Sequence, residues 1–169
     1  MPIRKSNNIR RPNNRGKRFE KKDEFDSKLL HLTRVAHMKA GGRRFRFRAV
    51  VVVGDGKGRV GLGIAKGKDV AQAIEKASRL GKKKLITIPI LKDTIPHQVE
   101  AKFSSVKLIL KPQVTGKGLL AGGSVRIVCQ LAGIKNISSK LLSRTKSKMN
   151  IAKATMAALS KLRASEPSA

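Results

Sequence analysis

The sequence predicts an α+β protein built from two small modules, each mixing hairpins with helices, and preceded by a basic tail. Three observations lead there. Residues 43–65 carry two strands around a glycine turn, residues 98–111 hold a second hairpin, and helical spacing of apolar residues follows at 70–80 and at 151–162. Hydrophobic residues make up 40% of the chain, which suits globular cores. Lys and Arg number 39 against 10 Asp and Glu, a formal net charge of +29. A chain so charged repels itself unless a polyanion neutralises it. Nucleic acid fits that need, because each neutralised phosphate releases condensed counterions.

The charge is not confined to a tail. Glu20, Asp23, Glu24 and Asp26 sit together near the start, and between Ser27 and Ser165 only Asp55, Asp69, Glu75, Asp93 and Glu100 remain. The folded part is therefore itself basic. Cys129 is the sole cysteine, so no intrachain disulfide and no cysteine cluster for a metal can form. The basic N-terminus lacks a following apolar stretch, and the longest aliphatic run, Ala49 to Val53, is far too short for a bilayer. A cytoplasmic protein with no membrane partner and no cofactor is expected.

Residues 1–24 are rich in Arg, Lys and Asn and read as a disordered, RNA-contacting tail. A first domain is expected over 25–91. Leu29 to Met38 reads as a strand with Leu30, Leu32 and Arg34 on one side and Leu29, His31, Thr33 and Val35 on the other. Gly41 and Gly42 form a flexible tip. Arg43 to Val53 then places Phe45, Phe47, Ala49, Val51 and Val53 on a core face and Arg44, Arg46 and Arg48 on the opposite one. Asp55-Gly56 is a strong hairpin signal. With those two residues as the loop, Phe47 opposes Ile64, Ala49 opposes Leu62 and Val51 opposes Val60, so that the arginines share their face with Gly61, Gly63 and Ala65. Asp69 caps a helix marked by Val70, Ala73, Ile74, Ala77 and Leu80, ending at Gly81 or Lys84. Leu85 to Leu91 reads as a strand pushed to an edge by Pro89.

A second domain is expected over 92–163. Gln98 to Phe103 and Val106 to Lys111 pair across Ser104-Ser105, and Pro112 stops the ladder. Thr115 to Gly123 is a glycine-rich loop entering a helix of Val125, Val128, Cys129, Leu131 and Ala132, which Gly133 ends. Ile134 to Leu142 is a short strand or irregular segment. Ser147 caps a final amphipathic helix through Ile151, Ala154, Thr155, Ala158, Leu159 and Leu162. Residues 164–169 form a fraying tail.

Motifs for chemistry are few. Gly56 to Gly61 spells GxGxxG, but between two strands, whereas a dinucleotide site needs a strand and a helix. Arg44-Phe45-Arg46-Phe47 resembles a base-stacking platform only faintly, and the rings fall on the core face. His31, His37 and His97 are scattered, and Asp55 and Asp69 are explained by turn and cap, so an enzyme finds no support. Phosphate binding remains. Lys66 and Lys68 precede the N-terminus of the Asp69-capped helix, where amides and dipole favour an anion. Lys57 and Arg59 extend the same basic edge, with Gly61 and Gly63 leaving room for an RNA backbone.

Residues 43–77, with TIPHQVEAKFSSVKLILKP, GKGLLAGGSVRIVCQLAGI and NIAKATMAAL, resemble the bacterial family of the fifth small-ribosomal-subunit protein, in order from about Phe25 to Leu162. The resemblance implies a double-stranded-RNA-binding-like first domain and a second α+β domain with a left-handed βαβ crossover. It implies binding to small-subunit ribosomal RNA at the back of the body near the neck, and contact with the fourth and eighth small-subunit proteins. It also implies a place beside the channel by which messenger RNA enters, and an influence on decoding accuracy and head movement. His37 to Arg43 matches the family's extended loop, directed at head-neck RNA near the site of spectinomycin action. The expected RNA contacts are Arg34, Lys39, Gly41, Gly42, Arg43, Arg44, Arg46, Arg48, Lys57, Arg59, Gly61, Gly63, Lys66, Lys68, Lys117 and Arg126. A free RNA chaperone is the alternative.

Overall fold

The computed structural model describes residues 24–163; apart from Glu24, the tails expected at 1–24 and 164–169 lie outside the described residues. The first sheet is antiparallel, in the order β1 (Asp26–Lys39), β2 (Gly42–Gly54), β3 (Arg59–Gly67) and β4 (Leu85–Thr87), with α1 (Val70–Lys83) against one face. The second follows with β5 (Val99–Phe103), β6 (Val106–Pro112), β7 (Leu119–Leu120), α2 (Gly123–Ala132), β8 (Ile137–Leu141) and α3 (Lys148–Ser160). Its strand order is β5-β6-β8-β7, mixed because β7 and β8 run parallel, with α2 as the crossover. Two α+β domains result.

Local signals place several boundaries. Asp69 is extended, and its carboxylate accepts the Val70 amide at 2.8 Å, the cap that starts α1. That helix runs past Gly81, which is buried inside it, to Lys83. Phe103 pairs with Val106, so Ser104-Ser105 is the turn, with Ser104 at φ 53°. Gly133 closes α2 at φ 87°, in the left-handed conformation that ends helices. β4 is shorter than the expected Leu85–Leu91 strand: the Ile88 amide still donates in register to the Gly58 carbonyl at 2.8 Å, but Pro89 has no amide to continue the ladder. Ser147 holds the N-cap position of α3 but makes no capping bond with its side chain.

The expected register of the β2–β3 hairpin is wrong by three residues. Val51 pairs with Gly63 rather than Val60, Ala49 with Ala65 and Gly54 with Val60, so residues 55–58 form the turn. An odd shift exchanges the faces of a strand. Gly61 and Gly63 therefore lie beneath α1 beside Val51 and Val53. A Cβ on Gly63 would overlap the Ala77 carbonyl oxygen and stand 2.7 Å from the Gly81 amide nitrogen. These glycines let a helix approach a strand closely, and that approach decides between two turns that are both acceptable locally.

A bulge between Leu29 and His31 also splits the expected alternation of β1. Leu32 stays on the face of Ala49, whereas Leu30 turns into the larger core. That core joins the two domains: Leu30, Val50, Val52 and Val60 pack with Val125, Val128, Ile137, Leu108 and Leu159. The hairpin tip adds polar ties, since the Gly56 and Gly58 amides donate to the Leu131 and Ala132 carbonyls at 3.0 and 2.9 Å. GxGxxG is thus an interdomain dock. Between the domains α3 is buried on more than one side, Ala152 included, so the expected amphipathic helix is instead an embedded one.

Candidate nucleic-acid interface

Both faces of β2 are committed, and the commitment changes along its length. Toward its C-terminal end, Phe47, Ala49, Val51 and Val53 pack under α1, and Val50 and Val52 pack against the second domain. Arg44, Arg46 and Arg48 continue the face of Val50 and Val52 outward, beyond that packing. Their cross-strand partners are His37, Val35 and Thr33 on β1, and Arg48 also stands opposite Lys66 on β3. Val35, His37, Lys39, Arg44, Arg46 and Lys66, with Ala36, line a groove of about 300 Å³ in which no acid among the described residues takes part. Like charges facing each other across strands destabilise a sheet. An anion in the groove removes that cost.

The hairpin tip carries this face outward. Lys39 pairs with Gly42, leaving Ala40-Gly41 as a tight turn, so His37 to Arg43 is mostly paired strand rather than a loop. Gly42 has φ 138° and Gly41 has open space around it, while Arg43 is exposed. On the opposite side, Phe45 is not in the core as expected. It is 45% exposed because it lies beyond the α1-packed cluster, and the Arg34 guanidinium stacks 3.8 Å over its ring. Lys68 lies just before α1, where its amide donates to Gln72 Oε1 at 3.3 Å.

Other expected contacts are not brought to this face. Lys57 lies in the turn before β3 and Arg59 at its far end; seven residue steps of strand put Arg59 about 23 Å from Lys66. Arg59 is also engaged: its Nε lies 2.6 Å from Asp55 Oδ2, and its guanidinium sits 5.1 Å over Phe25. Burial pushes the Asp55 carboxyl up, but hydrogen bonds from the Lys57 amide and from the Arg59 side chain and amide outweigh it and hold the pKa below the usual carboxylate value. Gly61 and Gly63 face α1, so close approach of RNA there is excluded. Lys117 stands between Gly116 and Gly118 in a loop pinned by the Gly118 amide to Asn136 Oδ1 at 3.0 Å, and Arg126 is exposed on α2. Both belong to the second domain.

Sequence reasoning missed His37, although pairing outward from a turn at Ala40-Gly41 would have set it opposite Arg44. It also missed that Arg48 is half-buried, with a solvent-sealed Nε that has no hydrogen-bond partner. Elsewhere Cys129 is fully buried, and burial pushes its thiol up to about 12. Among the described residues no group of His, Cys, Asp and Glu is placed to hold a metal. His31 is occupied locally, with Nδ1 3.0 Å from Thr33 Oγ1. The arrangement offers cations and an exposed guanidinium–aromatic pair, suited to binding a phosphate backbone.

Comparison with known proteins agrees with that chemistry. Residues 25–89 match the family described as "Ribosomal protein S5, N-terminal domain", and residues 101–169 match "Ribosomal protein S5, C-terminal domain". Proteins named "Small ribosomal subunit protein uS5" from Thermus thermophilus, two of them from separate named strains, are each 44% identical over 140 residues, covering 83% of this chain and 86% of theirs.

Proposed function

The chain belongs to the ribosomal protein S5 family, and from that premise we propose that the arginine face of β2 is its seat on small-subunit ribosomal RNA. It is a structural, non-enzymatic ribosomal protein of the small subunit, acting in translation. The observation that carries the proposal is the convergence of Arg44, Arg46, Arg48 and Lys66 on one sheet face, next to a basic groove that no acid among the described residues lines. Contacts of this kind read backbone shape rather than base sequence. The hairpin tip from Lys39 to Arg43, with Gly41 and Gly42, extends the seat. Arg34 flanks it, Lys68 continues it toward α1, and Lys57, Arg59, Lys117 and Arg126 make separate contacts.

On this reading the protein sits at the back of the body near the neck, stabilises head–body geometry and touches the fourth and eighth small-subunit proteins. It lines the channel by which messenger RNA enters and so influences accuracy. The shared core and the Gly56–Leu131 tie support a bracing role, because they make the two domains one stiff body. Sedimentation of tagged protein through a sucrose gradient tests the assignment. A peak with small subunits is expected; a peak elsewhere would favour a free RNA chaperone.

A further inference from the structure

The Arg48 guanidinium points to an occupant that the sheet face alone does not explain. Among the described residues it has no hydrogen-bond or ion-pair partner, its Nε is sealed from solvent, and Lys66 stands directly opposite. Nε itself is out of a ligand's reach, so it is the terminal nitrogens of this half-buried cation, facing Lys66, that an anion would satisfy. Arg48 lines a groove of about 510 Å³ where the sheet meets the second domain, and the other charged residues lining it are Lys66, Lys84 and Lys153. No carboxylate of the described residues is among them. The remaining wall is aliphatic, made by Leu62 and Ile64 from β3, Leu80 from α1 and Met149 from α3.

We propose that this interdomain groove seats one unstacked nucleotide of the bound RNA, with its phosphate on Arg48 and its base against Leu62, Ile64, Leu80 and Met149. The inference rests on the RNA-binding reading above and names what enters this cleft. A paired segment keeps its base faces stacked inside and shows phosphates, riboses and polar base edges at its surface, so it would bring no flat apolar face to the aliphatic wall. A nucleotide turned out of the stack brings a flat, largely apolar base together with its anion, which matches a wall of four apolar side chains beside four cations. The volume falls in the range of pockets that enclose small molecules. Because the groove is built from β2, β3, α1 and α3, a nucleotide there would touch both domains at once.

Met149→Cys in the full chain, labelled with a short photo-crosslinker and bound to small-subunit ribosomal RNA, tests this directly; buried Cys129 leaves the new thiol as the reactive one. Mapping by reverse-transcription stops should show a crosslink to one unpaired nucleotide. Lys153→Cys, on the rim, should mark the same nucleotide and carries the test if Met149→Cys does not fold. Adding Arg48→Gln should lower the yield about tenfold without lowering Tm, because it removes a cation that faces Lys66 with no acceptor among the described residues. Crosslinks spread along a paired segment or made to another protein overturn the proposal, as does their absence while the RNA stays bound; in each case the broader RNA reading survives. Failure of the folded chain to bind the RNA at all overturns both.

Discussion

Gly63→Ala separates two accounts of the β2–β3 hairpin. With Gly63 beneath α1, the new methyl group overlaps the Ala77 carbonyl oxygen and lies 2.7 and 2.8 Å from the Gly81 nitrogen and Ala77 carbonyl carbon, all of them backbone atoms that no rotamer change can move aside. The helix must retreat. A gap of roughly 0.5–1 Å forfeits a quarter to a half of the dispersion energy between facing atoms, and here it would open the cluster of Ala49, Val51, Val53, Ala73 and Ala77. Overpacking of this sort costs about 1–3 kcal/mol. In a chain of this size that lowers Tm by roughly 2–12 °C. Gly41→Ala is the control: its position is open and its φ is ordinary, so its effect should stay within about 0.5 kcal/mol. Urea unfolding of both variants checks this. Wild-type stability in Gly63→Ala together with weakened RNA binding would restore the register that puts Gly63 on the RNA side.

Two further outcomes follow from individual groups. The Asp55 pKa is lowered in the folded chain, so its contribution to stability is present above the ordinary carboxylate pKa and lost as pH falls through the folded value. The stability gap between wild type and Asp55→Asn should therefore be widest near neutrality and shrink below about pH 4; a gap independent of pH would refute the role of the carboxylate. The Cys129 thiol, buried and pushed up to about 12, should resist a thiol reagent at pH 8 until urea unfolds the chain. Fast labelling of the native protein would contradict the packing of α2.

Elements set by neighbouring residues were legible in the sequence. The Asp69 cap, the Ser104-Ser105 hairpin and the Gly133 stop each need only a few adjacent side chains, and each stands where it was expected. What was hidden depends on distant contacts. Asp55-Gly56 is a sound turn on local grounds, and only the demand of α1 for Gly61 and Gly63 moves the hairpin to the longer turn. Phe45 alternates like a core residue, but nothing in its own strand says where α1 ends. The pattern from Ile151 to Leu162 shows one apolar face, and Ala152 gives no sign that the other side is also covered. In the interface, the arginine face was legible as a period-two pattern. Its neighbours were not, because Lys66 replaces the expected glycines only in the true register, and Lys84 and Lys153 arrive from other elements.

The salt dependence of binding to small-subunit ribosomal RNA bears most directly on the arginine face. Removing one cation from a phosphate should flatten the slope of log affinity against log salt by about 0.7 to 0.9. Arg44→Gln, Arg46→Gln and Lys66→Gln together should flatten it by about 2 to 3 while leaving Tm unchanged, because these side chains project beyond the packed core. A slope equal to that of the wild type would show that the face is merely solvated and that RNA sits elsewhere.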